Sequence, residues 1–190
     1  MHQQISKRIF IYLFLFFLLG TFNNKNISHL NFLKINKLQL IDFKDKEIYE
    51  DLTYFQDRNL FFLEKNEVSK VINSHKIVES FIVFKIYPSS LNIKVKKAEF
   101  LAYTKKNGQD FYIGSNGKFI KIKKNKIELP FIFGNIEIKE FLKLKGIIDN
   151  SDFSFHDIKN FYYFKSKRWD IETKNNLLIK LPIEELELSF

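Results

Sequence analysis

The stretch FKIYPSSLNIKVKKAEFLAY, residues 84–103, contains two runs of alternating side chains joined at Pro88. Alternation of this kind is typical of strands that have one buried face and one solvated face. The sequence therefore predicts a hairpin in which Lys94 and Lys96 lie on the solvated face. The apolar positions expected to alternate onto the other face are Ile82, Phe84, Ile86, Leu91, Ile93 and Val95.

The segment before this hairpin predicts one strand and two helices. The strand is expected at 33–41, and a helix at about 45–56 could be capped by Asp42 or Asp45. A second helix is expected around Val68–Ile72, where apolar residues recur at helical spacing. The order strand, helix, helix, strand, strand indicates an α+β unit, in which two helices cover one face of a three-stranded sheet.

The remainder of the chain predicts a mostly antiparallel β region with one helix. DFYIGSNGKFIKI contains a hairpin turn at Ser115–Gly117, where Asn-Gly supplies the positive φ that such turns need. A helix is expected at 137–149. Three strand-like runs follow, and the last two are joined by a turn at Lys174–Asn176. These runs are IKNFYYF, RWDIET and LLIKLP.

The amino end has the pattern of a membrane-targeting segment. Ile9–Phe22 is apolar apart from one glycine and one threonine, and its 14 positions would span roughly 21 Å as a helix. We predict a transmembrane anchor at 9–22, with a cleaved signal peptide as the alternative. Lys7 and Arg8 would keep a short tip, residues 1–8, in the cytoplasm. Residues 23–32 read as a linker, and everything beyond them is expected outside the cytoplasm.

Composition argues against several classes of function. The net charge is +9, but the basic residues are interleaved with acids, and lysine is inflated together with the other residues that have A/T-rich codons. No nucleic-acid-binding motif accompanies the charge, so we predict no nucleic-acid partner. The chain has no cysteine, which excludes disulfides, thiolate metal sites and a cysteine nucleophile.

A search for catalytic or metal-binding patterns predicts neither an enzyme nor a cofactor. The four histidines lie far apart in sequence, and no phosphate-binding loop or nucleophile elbow is present. We expect no metal and no small-molecule substrate. An enzyme or sensor would need a pocket with convergent polar groups, and a deep pocket around His75 or His156 would be the sign of one.

Four segments together resemble a known family of bacterial cell-division proteins. They are NLFFLEKNEVSKVINSHKIVESFIVFKIYPSSLNIKVKKAEFLAY, YIGSNGKFI, ELPFIFGN and KRWDIETKNNLLIKLP. Their order and spacing, along nearly the whole chain, resemble those of the FtsQ/DivIB family. The chain departs from the family pattern at Ala98–Ala102, where the usual proline is missing, and at IEELELSF, where the family continues into a last strand.

The resemblance implies a POTRA-like β-α-α-β-β module at 33–100 and an FtsQ-type β domain at 101–190 that lacks its carboxy-terminal end. It implies a non-catalytic scaffold, single-pass in the bacterial inner membrane and mainly periplasmic, that sits at the division septum. This scaffold would link upstream division proteins to the FtsB/FtsL complex during septum formation. A POTRA-type chaperone or docking module for envelope polypeptides is the alternative. The implied partner-binding residues are Arg168, Trp169, Leu177, Ile179 and Leu181.

Overall fold

A computed structural model describes residues 2–22, 33–122, 127–184 and 186, with the backbone alone at 2–8 and 21–22. Its α-helices are α1 (His2–Phe22), α2 (Lys46–Leu52), α3 (Lys65–Ser74) and α4 (Ile138–Asp149), and short 3₁₀ helices lie at Thr53–Phe55 and Phe155–Asp157. Its strands are β1 (Lys37–Ile41), β2 (Val78–Ile86), β3 (Ser90–Lys97), β4 (Phe100–Lys106), β5 (Gln109–Gly114), β6 (Phe119–Lys121), β7 (Phe131–Phe133), β8 (Ile158–Tyr163), β9 (Trp169–Thr173) and β10 (Leu178–Lys180).

The predicted α+β class is confirmed. The described residues fall into two compact units, and each unit is built from two segments of the chain. One unit contains the chain up to Ile72 together with Ile82–Lys94, and the other contains Asn73–Phe81 and the chain from Val95 onward. The domain boundary at residue 100 stays a prediction.

The first sheet has the strand order β1-β3-β2, and its central strand runs parallel to β1. Asp45 caps the start of α2, and its carboxylate accepts hydrogen bonds from the backbone N–H groups of Glu47 and Ile48 at 3.0 and 3.1 Å. Such a cap satisfies N–H groups that have no partner inside the helix, as the sequence predicted for this position. The sheet and the helices α2 and α3 bury Leu38, Leu40, Ile48, Leu52, Val68, Ile72, Leu91 and Ile93.

The second sheet has seven strands in the order β10-β9-β8-β7-β4-β5-β6. Neighbouring strands in this sheet are antiparallel, except that β7 runs parallel to both β4 and β8. The hydroxyl of Thr104 on β4 is buried and donates to the carbonyl oxygen of Ile132 on β7 at 2.9 Å. β7 therefore joins two antiparallel groups of three strands into one sheet.

Helix α4 covers one face of this sheet. Its residue Phe141 packs edge-on against Phe161 of β8, with ring centroids 5.6 Å apart, and Phe161 packs edge-on against Trp169 of β9 at 6.1 Å. Edge-to-face packing of buried rings stabilises a core beyond the area that it removes from water. The helix predicted at 137–149 thus supplies the apolar surface against which this face of the sheet packs.

The turn at Ser115–Gly117, which joins β5 to β6, is hydrogen-bonded to the start of β2 and to the residues just before it. The side-chain amide of Asn116 donates to the carbonyl oxygens of Lys76 and Val78 at 2.9 and 2.8 Å. Gly117 has φ +69°, the left-handed conformation expected for this turn. At the nearby junction that lacks the proline, Glu99 and Ser115 exchange two hydrogen bonds at 3.0 and 2.8 Å.

The structure does not support the prediction of a transmembrane anchor at 9–22. The segment is helical, as part of α1, but no helix in the described ranges is long and apolar enough to cross a membrane. The tip at 1–8 stays a prediction, and the linker predicted at 23–32 lies outside the described residues.

Candidate interaction surfaces

Strand β10 forms an open edge of the seven-stranded sheet in the described part of the chain. The carbonyl oxygen of Leu177 accepts a hydrogen bond from β9 at 2.9 Å, and the N–H of Leu181 donates to β9 at 3.0 Å. Alternate residues of a strand direct their backbone groups to the same side. The backbone N–H and C=O groups of Leu178 and Lys180 therefore point away from the sheet, where a further strand could pair with them.

The five residues predicted to bind a partner all lie on or beside the hairpin β9–β10. Trp169 and Leu181 are buried, and Ile179 packs against the same core. These three side chains hold the edge in place. Leu177 is 60% exposed, and Arg168 is partly exposed, so these two present side chains that a partner can touch.

Arg168 also has a structural role that the sequence did not reveal. Its guanidinium donates to both carboxylate oxygens of Asp170 at 3.0 and 3.3 Å and lies 4.7 Å from the ring centroid of Phe164. Asp170 is only 4% exposed. A substitution of Arg168 leaves the buried carboxylate of Asp170 without its cation, which lowers the stability of the fold. Such a substitution therefore changes stability as well as the surface that a partner would contact.

A polar network surrounds Glu172 on the sheet face that α4 leaves uncovered. The hydroxyl of Tyr162 donates to its carboxylate at 2.6 Å, and the side chains of Asn160 and Lys159 each donate at 2.9 Å. These donors, Tyr162 foremost, lower the pKa of Glu172 from its ordinary value of 4.5 to about 2. The β8–β9 register brings the four groups together, and no sequence motif marks them.

A second apolar surface lies on β2, and here the predicted burial is wrong. Ile82, Phe84 and Ile86 are 55%, 44% and 48% exposed, whereas the predicted inward positions of β3 are buried. Lys94 and Lys96 are solvent-exposed, as predicted.

Ile82, Phe84 and Ile86 are exposed and not buried for a simple reason. Phe81 and Val83 alternate with the exposed residues, so β2 is apolar on both faces and its pattern does not select one. Lys85, on the inward side, is satisfied because its amine donates to the carbonyl oxygens of Phe61 and Leu63. β2 is an edge strand of its sheet, and Ile82, Phe84 and Ile86 form an exposed apolar stripe on one face of that strand.

The seven-stranded sheet also contains a cleft of about 820 Å³ whose lining includes His156. Ser151, the hydroxyl in the same cleft, is held by its own loop, because it donates to the carbonyl oxygen of Ile148 at 2.7 Å and accepts from the N–H of Phe153 at 3.1 Å. The Ser151 hydroxyl is therefore oriented by its own loop. Within the described ranges no group of His, Asp and Glu could hold a metal ion.

Comparisons with known proteins give little that identifies the chain. No family model matches it, and no curated protein matches it. Among solved structures, one similar chain is the major extracytoplasmic domain of the bacterial cell-division protein DivIB from Geobacillus stearothermophilus, in its trans isomer. The identity is 12% and the TM-score 0.36, over 48% of this chain and 84% of that one. A likeness this low does not assign the chain to a family.

The network around Glu172 predicts a specific dependence of stability on pH. Because the pKa of Glu172 is lower in the folded state, its stabilising contribution is complete above about 4.5 and is lost as the pH falls toward 2. We expect Glu172→Gln to melt at a lower temperature than the wild type at pH 6, with the difference shrinking steadily toward pH 2. Thermal unfolding followed by circular dichroism at several pH values measures this.

Glu184→Gln is the matched control, since Glu184 is exposed near the end of the described chain. Its melting temperature should differ from that of the wild type by a small amount that does not depend on pH. A difference between Glu172→Gln and the wild type that stays constant from pH 6 to pH 2 would contradict the role given to this network.

Proposed function

We propose that this chain is a non-catalytic cell-division scaffold of the FtsQ/DivIB kind, which links upstream division proteins to FtsB/FtsL-like partners during septum formation. The observation that carries the proposal is the open edge at β10, whose outward backbone groups belong to Leu178 and Lys180. The order of segments in the sequence supports the same conclusion, because it resembles that family along nearly the whole chain.

Recognition at this edge would work by strand addition. A partner strand that pairs with β10 gains main-chain hydrogen bonds, while pockets for its alternate side chains supply specificity. Leu177 and Leu178 are 60% and 50% exposed and would be covered by such a strand. Ile179 and Leu181 face the core and keep the edge rigid, so little conformational entropy is lost when a partner binds.

The first sheet and its two helices form the part of the scaffold that we assign to upstream partners. The elements β1, α2, α3, β2 and β3 follow one another in the order of a POTRA-like module. The exposed stripe Ile82, Phe84 and Ile86 offers an apolar docking edge there.

A location outside the cytoplasm belongs to this proposal. It rests on Lys7 and Arg8, which precede the apolar part of α1 and favour a cytoplasmic amino end. Alkaline phosphatase fused after residue 184 should be active, since that enzyme folds only in an oxidising compartment. An inactive but stable fusion would contradict this location.

Two proline substitutions in β10 test strand addition. Lys180→Pro removes an outward N–H and no hydrogen bond to β9, so it should leave the melting temperature close to that of the wild type. We expect it to weaken binding to the extracytoplasmic segment of an FtsB-like protein by about tenfold or more, because the incoming strand loses a hydrogen bond and meets the ring. Isothermal titration calorimetry measures the affinity.

Ile179→Pro is the matched control, because the N–H of Ile179 lies on the side that faces β9. It should lower the melting temperature by an amount equivalent to about 3 kcal/mol. Unchanged affinity in Lys180→Pro would exclude pairing at β10, and a wild-type chain that binds no FtsB-like segment would contradict the proposed function.

A POTRA-type docking module for envelope polypeptides is the second candidate, and the exposed stripe on β2 favours it. In that case Ile82→Asp should abolish capture of an unfolded outer-membrane protein. Tyr54→Asp, at a residue 71% exposed in the same unit, should leave it intact. Fluorescence microscopy separates the two functions, because a division scaffold forms rings at midcell and a general docking module is spread over the envelope.

A further inference from the structure

The cleft in the seven-stranded sheet is a gap between two strands. β7 begins opposite Tyr103 of β4 and Asn160 of β8. β4 itself begins at Phe100 and β8 at Ile158, so both strands extend beyond the start of β7. Since β7 lies between them, the gap is about 10 Å wide, twice the spacing of paired strands and enough for one extended chain.

Residues on both faces of the sheet line this gap. Leu101 and Ile148 belong to the side covered by α4, and Phe100 and Leu129 belong to the small cluster on the other side. The cleft reaches both sides at the place where no residue of β7 lies between the first residues of β4 and β8. Its volume of about 820 Å³ is within the range of sites that hold ligands.

The gap stays open because the chain does not enter β7 along the axis of that strand. The N–H of Ile127 donates to the phenol oxygen of Tyr112 on β5 at 2.8 Å, which places this residue over the sheet face. The chain then reaches the sheet at Pro130, whose carbonyl oxygen accepts from the N–H of Tyr103 at 3.0 Å. The space that would extend β7 beyond its amino end, between β4 and β8, is therefore open to another polypeptide segment.

We propose that this gap binds an extended peptide segment of a partner protein, which continues β7 between β4 and β8. A strand is the shape that matches a gap of this width, and its backbone can pair with strands on both sides at once. The site is separate from the open edge at β10 and does not depend on the function proposed for that edge.

The charge at the side of the gap next to β8 favours a carboxylate on the incoming strand there, whereas Glu99 and Glu128 line the side next to β4 and Pro130. The backbone N–H of Lys174 donates to the carbonyl oxygen of Asp157 at 2.8 Å, so Lys174 and His156 lie beside the start of β8. The other two lysines of the lining are engaged, Lys145 with a carboxylate of its own helix and Lys159 with the network around Glu172. Lys174 is thus the cation best placed to meet a carboxylate of the incoming strand.

A designed peptide tests the proposal on the full chain in detergent. The probe is the acetylated and amidated hexapeptide Thr-Val-Glu-Val-Thr-Val with a fluorescent label, and fluorescence anisotropy measures its affinity. Two further probes carry lysine in place of the glutamate, or methyl groups on alternate backbone nitrogens. We expect backbone methylation to weaken binding by about tenfold or more, because the methyl groups remove strand hydrogen bonds while all side chains remain.

Variants of the chain locate the binding. Lys174→Glu should weaken binding of the glutamate peptide by about fivefold and strengthen binding of the lysine peptide. Lys165→Glu, at an exposed turn outside the cleft, should change the affinity for either peptide by less than about twofold. Hydrogen exchange should slow at Phe100–Tyr103 and Ile158–Asn160 when the glutamate peptide is bound. Equal affinity of the methylated peptide, no binding at millimolar concentration, or protection confined to β2 or β10 would each overturn the proposal.

Discussion

Three residues, Phe131–Phe133, determine the form of the larger sheet. They make up β7, the only described strand of this sheet that is parallel to its neighbours, and it joins two antiparallel groups of three strands. The buried hydrogen bond from Thr104 to Ile132 holds it in place. A continuous sheet then allows α4 to cover one face, so that Phe141, Phe161 and Trp169 share a core. The shortness of β7 also leaves the gap at one of its ends and sets β10 at the far edge.

The polar groups of this sheet mainly serve its structure. Arg168 neutralises the charge of the buried carboxylate of Asp170, and the carboxylate of Glu172 accepts hydrogen bonds from three side chains of β8. This sheet leaves mainly backbone and apolar surface available to other molecules, at β10 and in the gap, together with the amine of Lys174 beside the gap. In the other sheet, β2 adds an exposed apolar stripe. Such surfaces recognise extended segments of polypeptide through hydrogen bonds that any sequence can form, and side-chain pockets then select among them. This chemistry is compatible with the scaffold function proposed above.

The sequence predicted the parts whose physics is local. Asp45 caps α2, Gly117 supplies the positive φ of its turn, and the alternation of Leu91, Ile93 and Val95 places these residues inside. It failed on Ile82, Phe84 and Ile86, because β2 is apolar on both faces and alternation then gives no direction. The transmembrane anchor predicted at 9–22 is not supported, since no helix in the described ranges is long and apolar enough to cross a membrane.

The sequence alone determined the α+β class and the order of the elements, since these follow from periodicity, turns and order along the chain, and the family resemblance supplied the candidate partner residues. Only the tertiary structure decided which of those residues are accessible, because burial of Trp169 and Leu181 depends on α4, which lies far away in sequence. The network at Glu172 and the gap beside β7 likewise come from strand register. Register is set by contacts between distant segments, and no short stretch of residues encodes it.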